Sequence, residues 1–544
     1  PFMIVSLSIR KPPFRRMLTY ILPFFSQKDN RKRKFLWEKD GFGIYWISNG
    51  GFLFFPLSQA GKSLKNRLFY EKIGTKRVRL PAPSDRIKGA FIMKKRKAII
   101  LAAGEGSRMK SKKAKVLHEV LGKPMILRVL QTAQQAGLTE IAVITGHQAQ
   151  QVEEALAGQD VVFFRQDQQL GTGHAVMQAE AFLEKDADIL ILYGDTPLME
   201  SRTIQRLLDQ QEASGAAVTV VSAQVDDPTG YGRIVRDEAG KFARIVEHKD
   251  ATAQQRQIQE INTGIYCFDG GALQQALGRI QNDNVQGEYY LPDALALILA
   301  DGREVNVLQA EDAGEFLGIN TRSQLADAQR ALQRRINQRL MDEGVTILDP
   351  NSTFIGEEVQ IGMDTIIRPQ THLEGKTVIG ENCEIGPCCR LTDMIVGNQT
   401  QIQFTVAMES KIGDETKVGP YAYIRPNCVI GDHIKVGDFV EVKNSVIGNG
   451  TKISHLTYVG DSDVGERINF GCGTVTVNYD GKKKYRTTIE DDVFIGCNAN
   501  LVAPVTLKQG SYVAAGSTIT KDVPENALAV ARTRQSNLEG WHKK

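Results

Sequence analysis

The chain has 544 residues, 42% apolar and 24% charged, with 50 glycines and a net charge of +4. That length exceeds what one hydrophobic core serves, so two or three domains are expected. The charge averages two unlike pieces: residues 1–92 hold 19 Lys/Arg against 5 Asp/Glu, and residues 93–544 hold 48 against 58. An acidic, aromatic-poor main body argues against a nucleic-acid partner. Seven cysteines without a Cys-x-x-Cys pair argue against a disulfide framework or zinc ribbon and for a reducing, cytoplasmic setting. No apolar run approaches the roughly 20 residues that span a bilayer, so no membrane anchor is expected.

Residues 1–92 show no steady helix or strand period and no signal-peptide core. Lys88-Gly89-Ala90 can be encoded by a bacterial ribosome-binding sequence placed just upstream of Met93. The expectation is that this basic, aromatic-rich extension is translated upstream sequence and that Met93 is the start. A basic tail binding membrane or nucleic acid is the alternative. Gly61-Lys62-Ser63 imitates the end of a P-loop, but Leu57 stands where the first glycine must be.

From Lys97 to Ala103 a short buried strand runs straight into Gly104-Glu105-Gly106-Ser107-Arg108-Met109. Such a turn brings backbone N–H groups close to an anion. Met109 at the sixth position rules out the dinucleotide-binding fingerprint. A helix over Pro124–Ala136, strands at Glu140–Thr145 and Ala187–Leu192, and a helix over Ser201–Glu212 follow. This βα alternation predicts a largely parallel sheet with ligands at the carboxyl ends of its strands. Asp195, in Tyr193-Gly194-Asp195, ends such a strand. It suits a Mg²⁺ site facing the glycine turn or, equally, a cap for a helix starting near Pro197.

Leu325, Ala328, Leu332, Ile336 and Leu340 then fall at helical spacing, predicting a connecting helix ended by Gly344. Beyond it apolar residues recur every six positions. The first run is Ile355, Ile361, Ile367, Leu373, Ile379, Ile385 and Leu391. The second is Val406, Ile412, Val418, Ile424, Ile430, Val436 and Val442, and the third is Ile495, Leu501, Leu507, Val513 and Ile519. Glycine often follows, as at Gly380, Gly413 and Gly431, where a small residue lets the chain turn. This is the hexapeptide pattern of a three-sided β-helix. Breaks at about 392–405 and 443–494 are expected to be loops leaving the coil. The second contains His455; a histidine in a loop is more often structural, although an imidazole near neutral pH also suits proton transfer.

Several ordered motifs carry a resemblance: Leu101–Met109, Lys115-Val-Leu-His118, Gln169–Ala175, Tyr193-Gly-Asp195, Gly230-Tyr-Gly-Arg233, Val246-Glu-His-Lys249, Ile261-Asn-Thr-Gly264 and Gly318-Ile-Asn320. They resemble the sugar-1-phosphate nucleotidyltransferases, and more narrowly the family of bifunctional N-acetylglucosamine-1-phosphate uridyltransferase/glucosamine-1-phosphate acetyltransferases, from about Met93 to the C-terminus. The resemblance implies an α/β chain: a Rossmann-like nucleotidyltransferase domain at 93–320, a linker helix at 321–344, a left-handed parallel β-helix at 345–525 and a tail at 526–544. It implies UTP, N-acetylglucosamine-1-phosphate, glucosamine-1-phosphate and acetyl-CoA as substrates, Mg²⁺ as cofactor, and a homotrimer.

By resemblance, Leu101, Ala102, Ala103, Gly104, Gln166, Gly171, Thr172 and Tyr193 surround the nucleotide. Arg108 and Lys115 neutralise its triphosphate, and Asp195 and Asn320 hold Mg²⁺. Gly232, Glu247 and Asn262 bind the N-acetylglucosamine moiety. In the second half His455 is the base, with Arg425, Lys443, Tyr458 and Asn469 on the sugar phosphate and Glu441 as support. Cys472, Asn478, Tyr479, Cys497, Ala515 and Arg532 contact acetyl-CoA. Four positions depart from the family: Glu105 for a basic residue, Ala114 for proline, and Cys472 and Cys497 where alanine and serine are commoner. Three rival readings are a nucleotidyltransferase with a merely regulatory β-helix, a three-histidine metalloenzyme, and a non-catalytic scaffold. The cluster around His455, the lack of a clear triad among His372, His433, His455 and His542, and the set Arg108, Lys115 and Asp195 argue against them in turn.

Overall fold

The computed structural model describes residues 94–543, together with the backbone of Leu36–Lys39, Phe42–Ile47 and Gly51–Pro56. Those three strands form an antiparallel meander, although the sequence there shows no steady strand period. They belong to a compact unit distinct from residues 91–544. The rest of the basic extension, Gly61-Lys62-Ser63 and the expected start at Met93 lie outside the described residues.

The larger unit begins with a nine-stranded sheet centred on Lys95–Leu101. That strand pairs in parallel with Glu140–Thr145 and Ala187–Tyr193, and Val162–Arg165 extends the parallel half. Side chains of the central strand alternate between two cores. Ile99 and Leu101 join helices Gly270–Leu277 and Pro292–Ala300, while Ala98 and Ile100 join Met125–Gln135 and Ser201–Ser214. Helices on both faces explain why these strands are continuous apolar runs rather than alternations. The expected largely parallel order holds for only one side. Past Ala187–Tyr193 the sheet is antiparallel through Glu260–Asp269, Gly232–Arg236 and Phe242–Val246. The last two are joined by a short turn, which antiparallel pairing permits and a parallel crossover does not.

The connecting helix runs from Arg322 to Asp342 and opens on a capping box, Thr321 with Gln324. Its buried stripe belongs to one hydrophobic cluster that runs from Met109, Val120 and Met125 into the β-helix. Gln333 Nε2 donates to the Thr353 carbonyl at 2.6 Å and Asn337 Nδ2 to the same oxygen at 3.0 Å, fastening the helix to the first coil.

The coil is three parallel sheets of eleven, ten and nine short strands, the faces of a left-handed β-helix. Ile355, Ile367, Leu373, Ile379, Ile385 and Leu391 point inward and are buried. Val406 is 39% exposed and Ala407 takes the inward place. The reason is a shortened coil. Val378 pairs with Ile395, 17 residues on, and Arg390 with Val406, 16 residues on. Residues 392–405 therefore stay in the prism, with strands at Ile395–Val396 and Gln401–Ile402, instead of looping out. The second expected excursion shrinks likewise: strands continue from Val446 to Val477 and resume at Thr487, leaving only about 478–486 outside.

Glycine after the inward residue is required by close approach more than by turning. A Cβ at Gly380, Gly397, Gly413 or Gly431 would collide with the Asn or Asp side chain of the next coil. Those side chains form a ladder: Asn398 N–H donates to Asp414 Oδ1 (2.6 Å), Asp414 N–H to Asp432 Oδ1 (2.8 Å), and Asp432 N–H to Asn449 Oδ1 (2.8 Å). Buried threonines do the same at another corner. Thr416 Oγ1 donates to the Gly431 carbonyl (2.9 Å) and accepts from Ile434 N–H (3.1 Å). Thr416→Val keeps the shape but strands Ile434 N–H in the core. A destabilisation of about 1–3 kcal/mol is expected, read as a lowered urea midpoint of the β-helix transition.

Candidate functional site

Register places Leu101 beside Tyr193 at the carboxyl edge of the parallel strands. The chain then turns through Gly104 and Gly106 into a 3-10 turn, Ser107–Met109. Gly106 has φ 63°, and a Cβ there would lie 2.5 Å from Lys115 Cβ, so the glycine turn rests directly on Lys115. Lys115 Nζ donates to Asp195 Oδ2 at 2.5 Å and to Asn320 Oδ1 at 3.0 Å. Asn320 is brought there by Ile319 N–H bonding to the Asp195 carbonyl at 3.0 Å. The next helix begins at Ser201, so Asp195 caps nothing. Among the described residues no group of three His, Cys, Asp or Glu could hold a metal. Two hard oxygens already converging on one cation nevertheless suit Mg²⁺, which keeps waters and substrate phosphates as its other ligands.

Beside this edge lies a cavity of about 210 Å³ lined by Thr172, Tyr193, Glu247, Asn262, Tyr266, Glu288, Tyr290 and Pro292. The Tyr193 ring packs on Gly264, whose φ is 84° and whose Cβ would fall 2.8 Å from Cε2. Burial, reinforced by the Asp195 and Glu247 carboxylates, holds the Tyr193 phenol well above its usual range. Burial also raises the Glu247 carboxyl, with Asp250 and Asp293 adding to it against Arg233. Gly232 backs Glu247: a Cβ there would lie 3.1 Å from Oε1. Gln166 is buried and donates to the Gly171 carbonyl at 3.0 Å, holding the loop that carries Thr172. Ala102 and Ala103 are buried under the turn, while Gly104 and Arg108 are exposed on it. Arg108 forms no ion pair among the described residues.

The linker helix also reaches this edge. Arg322 Nε donates to the Met109 carbonyl at 3.3 Å and Nη1 to His118 Nδ1 at 3.2 Å. Burial, then Arg322 and Lys113, lower the His118 pKa, so its imidazole is neutral and accepts that bond.

On the β-helix, a cavity of about 410 Å³ is lined by Arg425, Pro426, Asn427, Lys443, Asn444, Asp461 and Lys484. Arg425 pairs with Glu441 at 3.0 Å and Lys443 with Asp461 at 3.4 Å. Asn478 donates to Asp461 and, at 3.3 Å, to Tyr458 Oη. Arg425, Lys443 and Lys484 bring three cationic side chains to this lining. Neighbouring cations of this kind suit a phosphate.

His455 does not line that cavity. It ends the strand Lys452–His455 on the adjacent corner, and Tyr458 stands between. His455 Nδ1 lies 2.5 Å from Asp438 Oδ1, its register partner one coil back. The bond from His455 holds the Asp438 carboxyl below its usual range. A carboxylate only accepts, so Nδ1 carries the proton and Nε2 is left to receive one. Asn469 pairs with Lys452 and Phe494 on the same face. Tyr479 is exposed on the excursion, its hydroxyl donating to the Gly481 carbonyl at 2.7 Å. Arg532 is exposed, its Cδ 3.9 Å from where a Gly516 Cβ would be.

A nucleotide-type sheet edge joined to a basic, histidine-bearing β-helix defines a nucleotidyltransferase fused to a hexapeptide-type transferase. The MobA-like NTP transferase domain matches residues 98–260, and the bacterial transferase hexapeptide family matches 352–393 and 409–444. The bifunctional protein GlmU of Caldanaerobacter subterraneus is 52% identical over 444 residues, 82% of this chain and 97% of that protein. Those of a Geobacillus species and of Listeria monocytogenes are 52% and 48% identical, covering 98% and 99% of their own lengths. The chain belongs to the bifunctional GlmU family, and it is an enzyme.

Residues that the motifs did not single out complete both sites: Glu288, Tyr290 and Tyr266 at the first, Asp438, Asp461, Asn444 and Lys484 at the second. Asp438 and Asp461 had a legible signal. Asp438 precedes His455 by 17 residues, one coil step, and Asp461 follows Lys443 by 18, one residue beyond the coil partner Gly460. Asp438→Asn leaves the shape but frees the imidazole to take either tautomer. Acetyl transfer is expected to fall at least about tenfold, short of the roughly 10²–10⁴ that loss of a general base would cost, with uridyl transfer unchanged in the same preparation.

Proposed function

We propose that the β-helix acetylates glucosamine-1-phosphate with acetyl-CoA, and that the N-terminal sheet couples the resulting N-acetylglucosamine-1-phosphate to UTP, releasing pyrophosphate and UDP-N-acetylglucosamine. The observation that carries this reading is the pairing of two separate constellations on one chain: Lys115 held by Asp195 and Asn320 at the glycine turn, and His455 held by Asp438 beside a basic cavity.

In the first reaction a sugar-borne amine attacks the thioester carbonyl. His455 Nε2 takes the proton that the nitrogen sheds, and Asp438 steadies the imidazolium. Arg425, Lys443 and Lys484 hold the phosphate, with Tyr458 and Asn469 on the sugar. Cys472, Asn478, Tyr479, Cys497, Ala515 and Arg532 line the path of acetyl-CoA.

In the second reaction the sugar phosphate oxygen attacks the α-phosphorus of UTP in line, and catalysis is positioning and charge neutralisation. Leu101, Ala102, Ala103, Gly104, Gln166, Gly171, Thr172 and Tyr193 seat the nucleotide, and Arg108 and Lys115 face its phosphates. Gly232, Glu247 and Asn262 hold the N-acetylglucosamine. Asp195 and Asn320 would hold Mg²⁺, which when bound neutralises the departing pyrophosphate.

A homotrimer fits the corner on which Phe404, Tyr421, Phe439 and Leu456 stack exposed, with ring centroids 5.5 and 5.3 Å apart along the first three. Such a column favours burial against another copy. A cytoplasmic location fits the seven free cysteines and the demand for UTP and acetyl-CoA; no helix among the described residues is long and apolar enough to cross a membrane.

Paired variants of the full chain test the reading. Asp195→Ala is expected to abolish UTP-dependent pyrophosphate release and spare CoA release. His455→Ala is expected to lower CoA release at least about 10²-fold and spare pyrophosphate release. Loss of both activities in either folded variant would overturn independent sites.

A further inference from the structure

One corner of the β-helix carries two cysteines stacked on successive coils. Asn469 pairs with Phe494 and Phe470 with Ile495, so continuing the register sets Cys472 opposite Cys497. The backbone bonds agree: Gly471 N–H donates to the Ile495 carbonyl at 2.8 Å, and Asn498 N–H to the Cys472 carbonyl at 2.7 Å. The column continues in both directions. Gly516 N–H bonds to the Cys497 carbonyl at 2.8 Å, placing Ala515 next. On the other side Ile453 pairs with Phe470, placing His455 next to Cys472.

Neighbouring parallel strands lie about 4.8 Å apart, inside the roughly 4.4–6.8 Å Cα separation of disulfide-bonded cysteines. Gly471 and Gly473 flank Cys472 and Gly496 precedes Cys497, so the corner has few side chains to resist a small inward adjustment. Both thiols are reachable, Cys472 half-buried and Cys497 exposed. Neither makes a hydrogen bond through sulfur among the described residues. Cys383, Cys388 and Cys389 each donate to an oxygen, at 3.0, 3.0 and 3.5 Å, and Cys267 and Cys428 are buried.

The geometry points to Cys472 and Cys497 as a thiol pair that oxidises to a disulfide and shuts acetyl transfer without touching uridyl transfer. This rests on the acetyl-CoA reading of the same corner. The oxidant class is a low-molecular-weight disulfide. The Cys472 thiolate attacks one of its sulfurs and expels the first thiolate. The Cys497 thiolate then attacks Cys472 Sγ and expels the second. Two protein thiols lose two electrons, the small disulfide becomes two thiols, and the two protein protons end on them. The new bond lies across the corner beside His455, where the thioester must enter.

The test incubates the full chain with glutathione disulfide and reads three things: peptide masses, CoA release and pyrophosphate release. The expected result is a Cys472–Cys497 linked peptide lighter by two hydrogens, with CoA release lost and restored by dithiothreitol, and pyrophosphate release unchanged. Cys388→Ser is expected to respond as the unaltered chain does. Cys497→Ser, compared with its own reduced sample, is expected to stop at a glutathione adduct on Cys472. Loss of CoA release without the linked peptide, a linked peptide with undiminished CoA release, or no change at all overturns the inference. So does a Cys388→Ser chain that no longer responds. A fully reduced chain that releases no CoA defeats the acetyl-transfer reading instead, and the linked peptide remains measurable in that case.

Discussion

Coil-to-coil stacking is the constraint on which the C-terminal half depends. Along the short strands, backbone N–H groups bond to the coil beside them, so residues one step apart are held at the spacing of adjacent strands. Aliphatic side chains are thereby stacked inside and polar ones at the corners. The Asn398–Asp414–Asp432–Asn449 ladder and the glycines facing it are two sides of one fact: the corner has room for one side chain per coil. Coils shrink to 17 or 16 residues around 378–406 without breaking the column, because residues are lost at corners while the pairing of inward rows persists.

The same stacking builds chemistry. A histidine at a corner is an ordinary surface residue until the coil below supplies a carboxylate at the same position. Asp438 does so for His455, and Asp461, one residue past the register partner of Lys443 on the following coil, reaches that lysine. A parallel β-helix thus turns a sequence offset of about one coil into a contact. The candidate site residues are consequently spread along neighbouring corners rather than gathered in one pit.

The N-terminal half reaches its site by a different route. Parallel strands point their carboxyl ends the same way, so the turns after Leu101 and Tyr193 meet at one edge. Asn320 is delivered to that edge just before the linker helix starts. Arg322, the first residue of that helix, grips the Met109 carbonyl and His118. The helix then packs into the cluster that continues through the coil. It both closes the nucleotide edge and seats the β-helix.

Both architectures were legible in the residues because burial is periodic. An apolar residue every six positions cannot be a helix or an ordinary strand, and an apolar run leading into a glycine turn marks a strand edge. The motifs likewise named Lys115, Asp195, Asn320 and His455. Local pattern does not carry sheet order or exact coil length. Lys115 lies 80 residues from Asp195 and 205 from Asn320, and only the folded sheet brings their polar atoms together. Residues 392–405 look like a loop because the six-residue count fails there, yet hydrogen bonding to both neighbouring coils keeps them in the prism. The antiparallel half of the sheet, Asp438 beneath His455 and Cys472 against Cys497 were decided by tertiary pairing. Sequence determines which side chains must leave water; the backbone ladder determines which of them meet.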